Sequence, residues 1–379
     1  MSRPKPSMML DTLAVEESAD VTSYNVNHTN VLELRAFLFR NGSVYTRDGL
    51  RELHAQVSSS DIDLTSRRPI GRGASGQVFF ATIKETQRPV AMKYIPITSK
   101  PHRDEVEREL AFFAARSDCP FVMHNLGAYW DSEDNAIVLV MDWMSYNLHD
   151  VAVFWKDGGM DESFLRDVSY QVLRGLEYLH SAKRVIHRDI KPMNILIRDD
   201  GYVKIGDFGV SKMVETLGIL SSYVGTMYFM APERLEQGHY TFNSDIWSFG
   251  LTVISTARGG GNPWAPPESM NLFQLLQKIS GNDIPVLGTR TAAYSDAARE
   301  FVAACLERSP DVRPDCKELL RHRFFEGVSE ASAVEGVRSV VQLMSQMLGR
   351  ETAKQAETNK TAAQVAALRD ERIGRLDNL

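Results

Sequence analysis

His187-Arg188-Asp189-Ile190-Lys191-Pro192-Met193-Asn194 runs straight into the apolar triplet Ile195-Leu196-Ile197. Eighteen positions after Asp189, Val203-Lys204-Ile205 ends in Gly206-Asp207-Phe208-Gly209. An Asp at 189 can accept the proton of an incoming hydroxyl, and an Asn five residues later can ligate a cation. Lys191, between them, carries the charge that would neutralise a transferring phosphoryl group. Asp207 stands where a predicted strand hands over to a loop, a good place for a metal-binding carboxylate beside phosphates. An Asp-Phe-Gly turn is common in isolation; in this order and at this distance it points to phosphoryl chemistry.

Upstream, Leu165, Val168, Val172, Leu176 and Leu179 recur at spacings of three and four, which predicts one long amphipathic helix leading into that stretch. Further upstream, Gly71-Arg72-Gly73-Ala74-Ser75-Gly76-Gln77-Val78 follows one predicted strand and enters another, Gln77 to Ile83. Glycines are needed where backbone amides approach phosphate oxygens, because a Cβ would collide with the nucleotide. A dinucleotide-binding turn of the same spacing leads into a helix and reaches an acidic ribose ligand about 20 residues on. Here the turn leads into a strand, and a lysine arrives instead. Lys93 ends Val90-Ala91-Met92-Lys93 within the predicted strand Pro89 to Ile95. An ammonium carried inward by apolar neighbours needs an anion and a carboxylate to meet it. Phosphates are one partner. Glu109, in a predicted helix from Glu105 to Ala115, is the carboxylate, with Glu105 as the alternative, since sequence does not fix the register.

Composition limits the remaining readings. The chain has 379 residues, 43% hydrophobic, 24% charged and 9% aromatic, an ordinary globular balance. At about 150 residues per domain this allows two or three units, or one bilobal domain with tails. Forty-three Lys and Arg against 49 Asp and Glu give a net charge of -6, which argues against a dedicated nucleic-acid binder. Cys119, Cys305 and Cys316 are too few and too far apart for a disulfide framework or a four-ligand zinc site, so a reducing, cytoplasmic setting is expected. The longest apolar run, Ala136 to Met141, is far below the ~20 residues that span a bilayer, and Met1-Ser2-Arg3-Pro4 has no secretory core.

The full set of residues resembles the protein kinase family. To the stretches above it adds Ala231-Pro232-Glu233, Asp245-Ile246-Trp247-Ser248-Phe249-Gly250 and Arg313-Pro314. The resemblance implies an α+β, bilobal kinase fold, with a β-rich first lobe containing one key helix and a mainly α second lobe. Residues 65–326 form the expected kinase domain. Residues 1–64 are expected to be a partly disordered extension with a short hairpin near 34–53, and 327–379 an amphipathic helix (Val334, Val337, Val341, Met344, Leu348) and a polar tail. By resemblance Asp189 is the catalytic base, assisted by Lys191, Lys93 and Glu109. Asn194 and Asp207 hold Mg2+ on ATP. Ile70 to Gly76 cover the phosphates, and Val78, Ala91 and Leu196 sandwich the adenine. Met141 lies behind the purine, with Asp142 to Met144 as the hinge. Glu233 and Arg313 would form a buttressing pair in the second lobe.

Within the family, Lys191 and Gly225-Thr226 resemble serine/threonine kinases. Asp207-Phe208-Gly209-Val210-Ser211, Ser222-Tyr223-Val224-Gly225-Thr226 and Met141-Asp142-Trp143-Met144 resemble the dual-specificity mitogen-activated protein kinase kinases. A Ste20-like serine/threonine kinase is the competing enzyme reading, and a catalytically silent scaffold the competing non-enzyme one. The chain departs from the subfamily pattern at Met193, where Ser is frequent, at Gly206, where Cys is, and at Ala231, where Ser is usual. Gly218 breaks the animal-type pair of acceptors, whereas Thr216 and Ser222 match the wider plant-type gap. Arg188, beside Asp189, would receive a phosphate placed on Thr216 or Ser222 by an upstream kinase. Arg3, Lys5, Met8 and Leu10 resemble a docking peptide for a downstream mitogen-activated protein kinase, and the helix from Val334 to Leu348 would pack on the second lobe or dock an activator.

Overall fold

The computed structural model describes residues 26–27, 31–40, 43–47, 52–53, 55–73, 76–97, 106–107, 110–111, 118–156, 159–207, 227–236, 241–264, 272–281, 283–288 and 294–350. The fold is α+β and bilobal. Two antiparallel sheets build the first lobe, and helices dominate the second.

The first sheet is a meander of short strands, β1 (Val26–Asn27), β2 (Val31–Glu33), β3 (Phe37–Arg40), β4 (Ser43–Thr46) and β5 (Glu52–Leu53), paired in chain order. Residues 34–53 therefore belong to a five-stranded unit instead of standing as a lone hairpin. Such strands are too short to show a countable alternation, which is why the sequence suggests less. The second sheet has β6 (Ile62–Gly73), β7 (Gly76–Ile83), β8 (Pro89–Pro96), β9 (Asn125–Asp131) and β10 (Ala136–Asp142) in the order β6-β7-β8-β10-β9. Register shifts interrupt the β6–β7 pairing on both sides of Pro69, where the strand carries a proline and a run of charges. Gly76, at φ +148°, has no alternative residue: a Cβ there would strike the carbonyl of Tyr94.

Alternation along β8 divides the core of this sheet. Val90, Met92 and Tyr94 face one way and pack with Val57, Ile62, Leu126, Val138 and Val140. Lys93, Ile95 and Ile97 face the other way. Ile95 and Ile97 pack with Ile137, Leu139, Val106 and Leu110, and with Leu32, Leu34, Phe37, Phe39 and Val44 of the small sheet. Each such side chain contributes about 1.5–3 kcal/mol when fully buried.

In the second lobe, α1 (Leu148–Phe154) starts at Asn147, whose side chain accepts from Asp150 N. Its successor α2 (Glu162–Glu177) starts at Asp161 in the same way and buries the stripe Leu165, Val168, Val172 and Leu176. A wider π-type turn, Tyr178–Lys183, closes it. A short three-stranded sheet, β11 (Tyr146–Asn147), β12 (Ile195–Ile197) and β13 (Val203–Ile205), carries the loop between the two stretches quoted first. Then come α3 (Pro232–Glu236), α4 (Phe242–Ala257), α5 (Leu272–Ser280), α6 (Asp296–Cys305) and α7 (Cys316–Leu319). Helix α4 is buried almost all round, including Trp247, Phe249 and Ile254, and forms the centre of the lobe. The last helix, α8 (330–350), lays Val334, Val337, Val341 and Met344 on the lobe. It approaches so closely that Gly201, at φ +89°, could carry no side chain without striking the Val334 carbonyl.

Candidate active site

The loop between α2 and β12 is held in a costly shape. Arg188 (φ 71°) and Asp207 (φ 61°) both occupy the left-handed region, which costs a non-glycine residue about 1–3 kcal/mol. What holds the first is Asp245, near the start of α4 and 1% exposed. Its Oδ1 accepts the backbone N–H of Arg188 at 2.8 Å; its Oδ2 accepts that of His187 at 2.8 Å and lies 2.8 Å from His180 Nε2. His187 in turn places Nε2 3.0 Å from the carbonyl of Gly206, tying this loop to the one that bears Asp207. Sequence reading quotes Asp245 only as part of a motif; its role follows from a contact between residues more than fifty positions apart.

Asp189, held by this frame, is 4% exposed. Its Oδ2 lies 2.8 Å from Lys191 Nζ and accepts a hydrogen bond from Asn194 Nδ2 at 2.7 Å. The same amide nitrogen donates to the Asp189 carbonyl at 2.8 Å, so Asn194 also orients the aspartate. Burial pushes the Asp189 carboxyl above the ordinary range, against the pull of Lys191. A carboxylate of raised pKa, with one ammonium beside it, is suited to receive a proton.

Across the cleft, Lys93 Nζ lies 2.9 Å from Asp207 Oδ1. Lys93 stands opposite Val78 on β7 and Leu139 on β10, and its ammonium reaches Asp207 of the second lobe. Burial pushes Asp207 up, but the Lys93 ammonium and its hydrogen bond outweigh this and hold its carboxyl below the usual value. The Asp207 side chain keeps 36% exposure, so it can still meet a ligand in the cleft. Asn194 and Asp207 supply amide and carboxylate oxygens, hard donors of the kind Mg2+ accepts. Among the described residues there is no cluster of three His, Cys, Asp or Glu that could hold a metal ion.

Ala91 pairs with Met141 across β8 and β10, and Leu196 rests against Gly206, where a Cβ would collide with it. Val78, Ala91, Met141, Met144 and Leu196 are all half-buried, as apolar walls of an open cleft should be. Asp142 turns its side chain away from the cleft. Arg88 Nη2 bonds its Oδ1, and Lys204 Nζ lies 3.4 Å from Oδ2. Burial raises the Asp142 carboxyl, but Lys204 and Arg88 outweigh it and hold it low; burial also draws the Lys204 ammonium down. Ile70 and Gly71 are exposed, Gly71 pairs with Val78, and the backbone of Arg72 and Gly73 continues β6. Ala74, Ser75, Glu109 and its alternative Glu105, Phe208, Gly209, Thr216 and Ser222 lie outside the described residues, as do Arg3, Lys5, Met8 and Leu10.

The second lobe is braced by Glu233 and Arg313, paired at 2.9 and 3.1 Å through the two terminal guanidinium nitrogens. Ser244 Oγ donates to the same carboxylate, and the Arg313 guanidinium lies 5.1 Å from the Trp247 ring centre. Every polar atom of this buried pair that could be left stranded is met, which is the condition under which such a pair holds.

Known proteins similar to this chain identify its family. The protein kinase domain family matches residues 64–325. Mitogen-activated protein kinase kinase 2 of Arabidopsis thaliana is 35% identical over 289 residues, spanning 73% of this chain and 77% of the relative. Mitogen-activated protein kinase kinase 1c of Physcomitrium patens is 33% identical over 282 residues, 73% of this chain and 79% of the relative. The dual specificity mitogen-activated protein kinase kinase dSOR1 of Drosophila melanogaster is 33% identical over 287 residues, 69% and 70% of the two chains. Among the described residues no helix is long and apolar enough to cross a membrane. A buried aspartate framed by Lys191 and Asn194, a lysine paired with Asp207 beside half-buried apolar side chains, and these matches lead to one conclusion: the chain belongs to the protein kinase family, among the mitogen-activated protein kinase kinases.

Proposed function

We propose that this chain phosphorylates both Thr and Tyr of a downstream mitogen-activated protein kinase, and is itself switched on by an upstream kinase acting at Thr216 and Ser222. The observation that carries the reading is the Asp189 carboxylate, set between Lys191 and Asn194 and anchored through the backbone to Asp245. ATP bound with Mg2+ supplies the phosphoryl group. Val78, Ala91, Met141, Met144 and Leu196 would hold its adenine, with the hinge backbone from Asp142 reading the purine edge. Ile70, Gly71, Arg72, Gly73, Ala74, Ser75 and Gly76 would cover its phosphates. Lys93, supported by Glu109, would orient them, and Asn194 and Asp207 would hold the metal. Asp189 takes the proton of the acceptor hydroxyl. Lys191, already beside that carboxylate, balances the charge there. Most of the rate enhancement then comes from positioning and charge stabilisation, since phosphoryl transfer asks for little covalent work from the protein.

Arg3, Lys5, Met8 and Leu10 would dock the substrate kinase, basic and apolar side chains meeting an acidic groove. The test uses activated full-length protein, a panel of catalytically dead mitogen-activated protein kinases and mass spectrometry of the products. Phosphothreonine together with phosphotyrosine on one member is the expected result. Phosphothreonine alone returns the chain to the serine/threonine kinases, and unchanged cellular activity of a Thr216→Ala, Ser222→Ala double variant refutes the proposed switch.

A further inference from the structure

The small N-terminal sheet is joined to the first lobe at two separate places. Its apolar side chains Leu32, Leu34, Phe37, Phe39 and Val44 are all buried in one cluster with Ile95 of β8 and with Ile97 just past its end, two and four residues beyond Lys93. The same cluster takes in Val106 and Leu110, one helical turn apart on the segment that follows β8. A polar contact fixes the register: the backbone N–H of Ala36 donates to Glu107 Oε1 at 3.2 Å. Arg47 stiffens the turn that presents Ala36, its own N–H donating to the Ala36 carbonyl at 2.9 Å and its Nη1 to the Leu34 carbonyl at 3.2 Å. At the far end, the amides of Gln56 and Val57 both donate to the carbonyl of Leu126 on β9, at 2.7 and 3.1 Å. Gly127 allows that approach, because a Cβ there would strike the Val57 carbonyl.

A sheet attached only for solubility would not need a hydrogen bond to one carboxylate of one helical turn. We propose that residues 31–53 act as a positioning clamp for phosphoryl transfer. They press the helical residues 106, 107, 110 and 111 against the sheet face that presents Lys93. The inference rests on the proposed roles of Lys93 and Glu109 toward ATP. Phe37, Phe39 and Glu107 are positioning residues; none of them touches substrate. Loosening the clamp frees these helical residues from the Lys93 face, which weakens ATP binding and turnover together.

The experiment measures KM for ATP and kcat of the activated full-length chain, with hydrogen exchange on the same samples. Phe37→Asp, which sets a charge into the apolar cluster, is expected to raise KM for ATP about tenfold and lower kcat by a similar factor. Phe37→Leu should hold both within about twofold, since it keeps the apolar bulk. Glu107→Ala should raise KM about threefold, whereas Glu107→Gln, which still offers an oxygen to Ala36 N–H, restores it. Amides of 106, 107, 110 and 111 should exchange faster in Phe37→Asp while those of α2 and α4 keep their protection. A lowered melting temperature with KM for ATP unchanged overturns the proposal, because a merely structural cap changes the folded fraction and not the site. If Phe37→Asp does not fold, the Glu107 pair decides alone, and equal KM values in Glu107→Ala and Glu107→Gln overturn the clamp. Lys93→Met is expected to abolish transfer; if it does not, the reading of the site fails while the clamp data stand apart.

Discussion

Asp245→Asn tests the frame of the active site with the smallest change of shape. Asp245 holds the backbone N–H of His187 and of Arg188 at 2.8 Å each, in a position 1% exposed. Hydrogen bonds to a charged acceptor contribute about 1.5–3 kcal/mol each, so the two together exceed the ~1–3 kcal/mol stored at Arg188. Asparagine can keep one acceptor, at the strength of a neutral bond near 1 kcal/mol, but must aim its NH2 at the other donor. The net loss is about 2–4 kcal/mol, comparable to the strain being held. Arg188 would then relax toward negative φ and carry Asp189 away from Lys191. The expected kinetics are a kcat reduced about 30-fold or more with ATP affinity nearly unchanged, because Lys93 and the apolar walls are untouched. Melting should fall by roughly 5–15 °C, using about 2–4 °C per kcal/mol for a domain of this size. Steady-state phosphorylation of a substrate kinase and calorimetry on the same preparation are sufficient. A variant with wild-type kcat and melting temperature would show that the left-handed loop needs no anchor, and the argument for a strained catalytic loop would collapse.

The pH profile offers a second check. Burial raises Asp189 and Lys191 lowers it, so Lys191→Met should move the acid limb of the rate profile to higher pH while also lowering kcat; an unmoved limb removes Asp189 as the titrating base. The corresponding stability follows the same sign. A carboxyl raised in the folded state favours folding below its unfolded pKa, and this contribution is lost as pH rises through the folded value. Asp207, held low by Lys93, works the other way, its contribution lost as pH falls through the depressed value. Gly201→Ala should destabilise the chain by about 2–4 kcal/mol, through the positive φ and the collision with α8, and make α8 the first helix to lose protection in hydrogen exchange. Wild-type stability in that variant would mean that α8 does not seat as described.

What could be read in the sequence was what is local. The apolar neighbours of Lys93 predict a strand that carries it inward, and β8 does so. The three-and-four spacing from Leu165 to Leu179 predicts α2 and its buried stripe. The residues that could not be read depend on partners far along the chain. Lys204, flanked by Val203 and Ile205, reads as part of a buried strand, and nothing nearby announces that Asp142 meets it from more than sixty positions away. Asn194 reads as a cation ligand, and its second task, orienting Asp189, is visible only once the loop is closed. The N-terminal sheet is hard to see in the sequence because strands of two to four residues carry too few positions for period two to be distinguished from chance.

The contact between Gly201 and α8 also bears on where the protein can be cut. The family match ends at 325, yet the hydrophobic core of the second lobe continues through Val337, Val341 and Met344. Gln171, buried in α2, uses a single amide to hold three backbones: its Nε2 donates to the carbonyls of Gly201 and Ala333, and its Oε1 accepts from Val203 N–H, the first residue of the strand that leads to Asp207. A recombinant fragment ended at the homology boundary would strip the cover from those apolar residues and leave one bond of that amide unmade. The packed second lobe of this kinase therefore runs past its last recognisable motif to the Met344 turn.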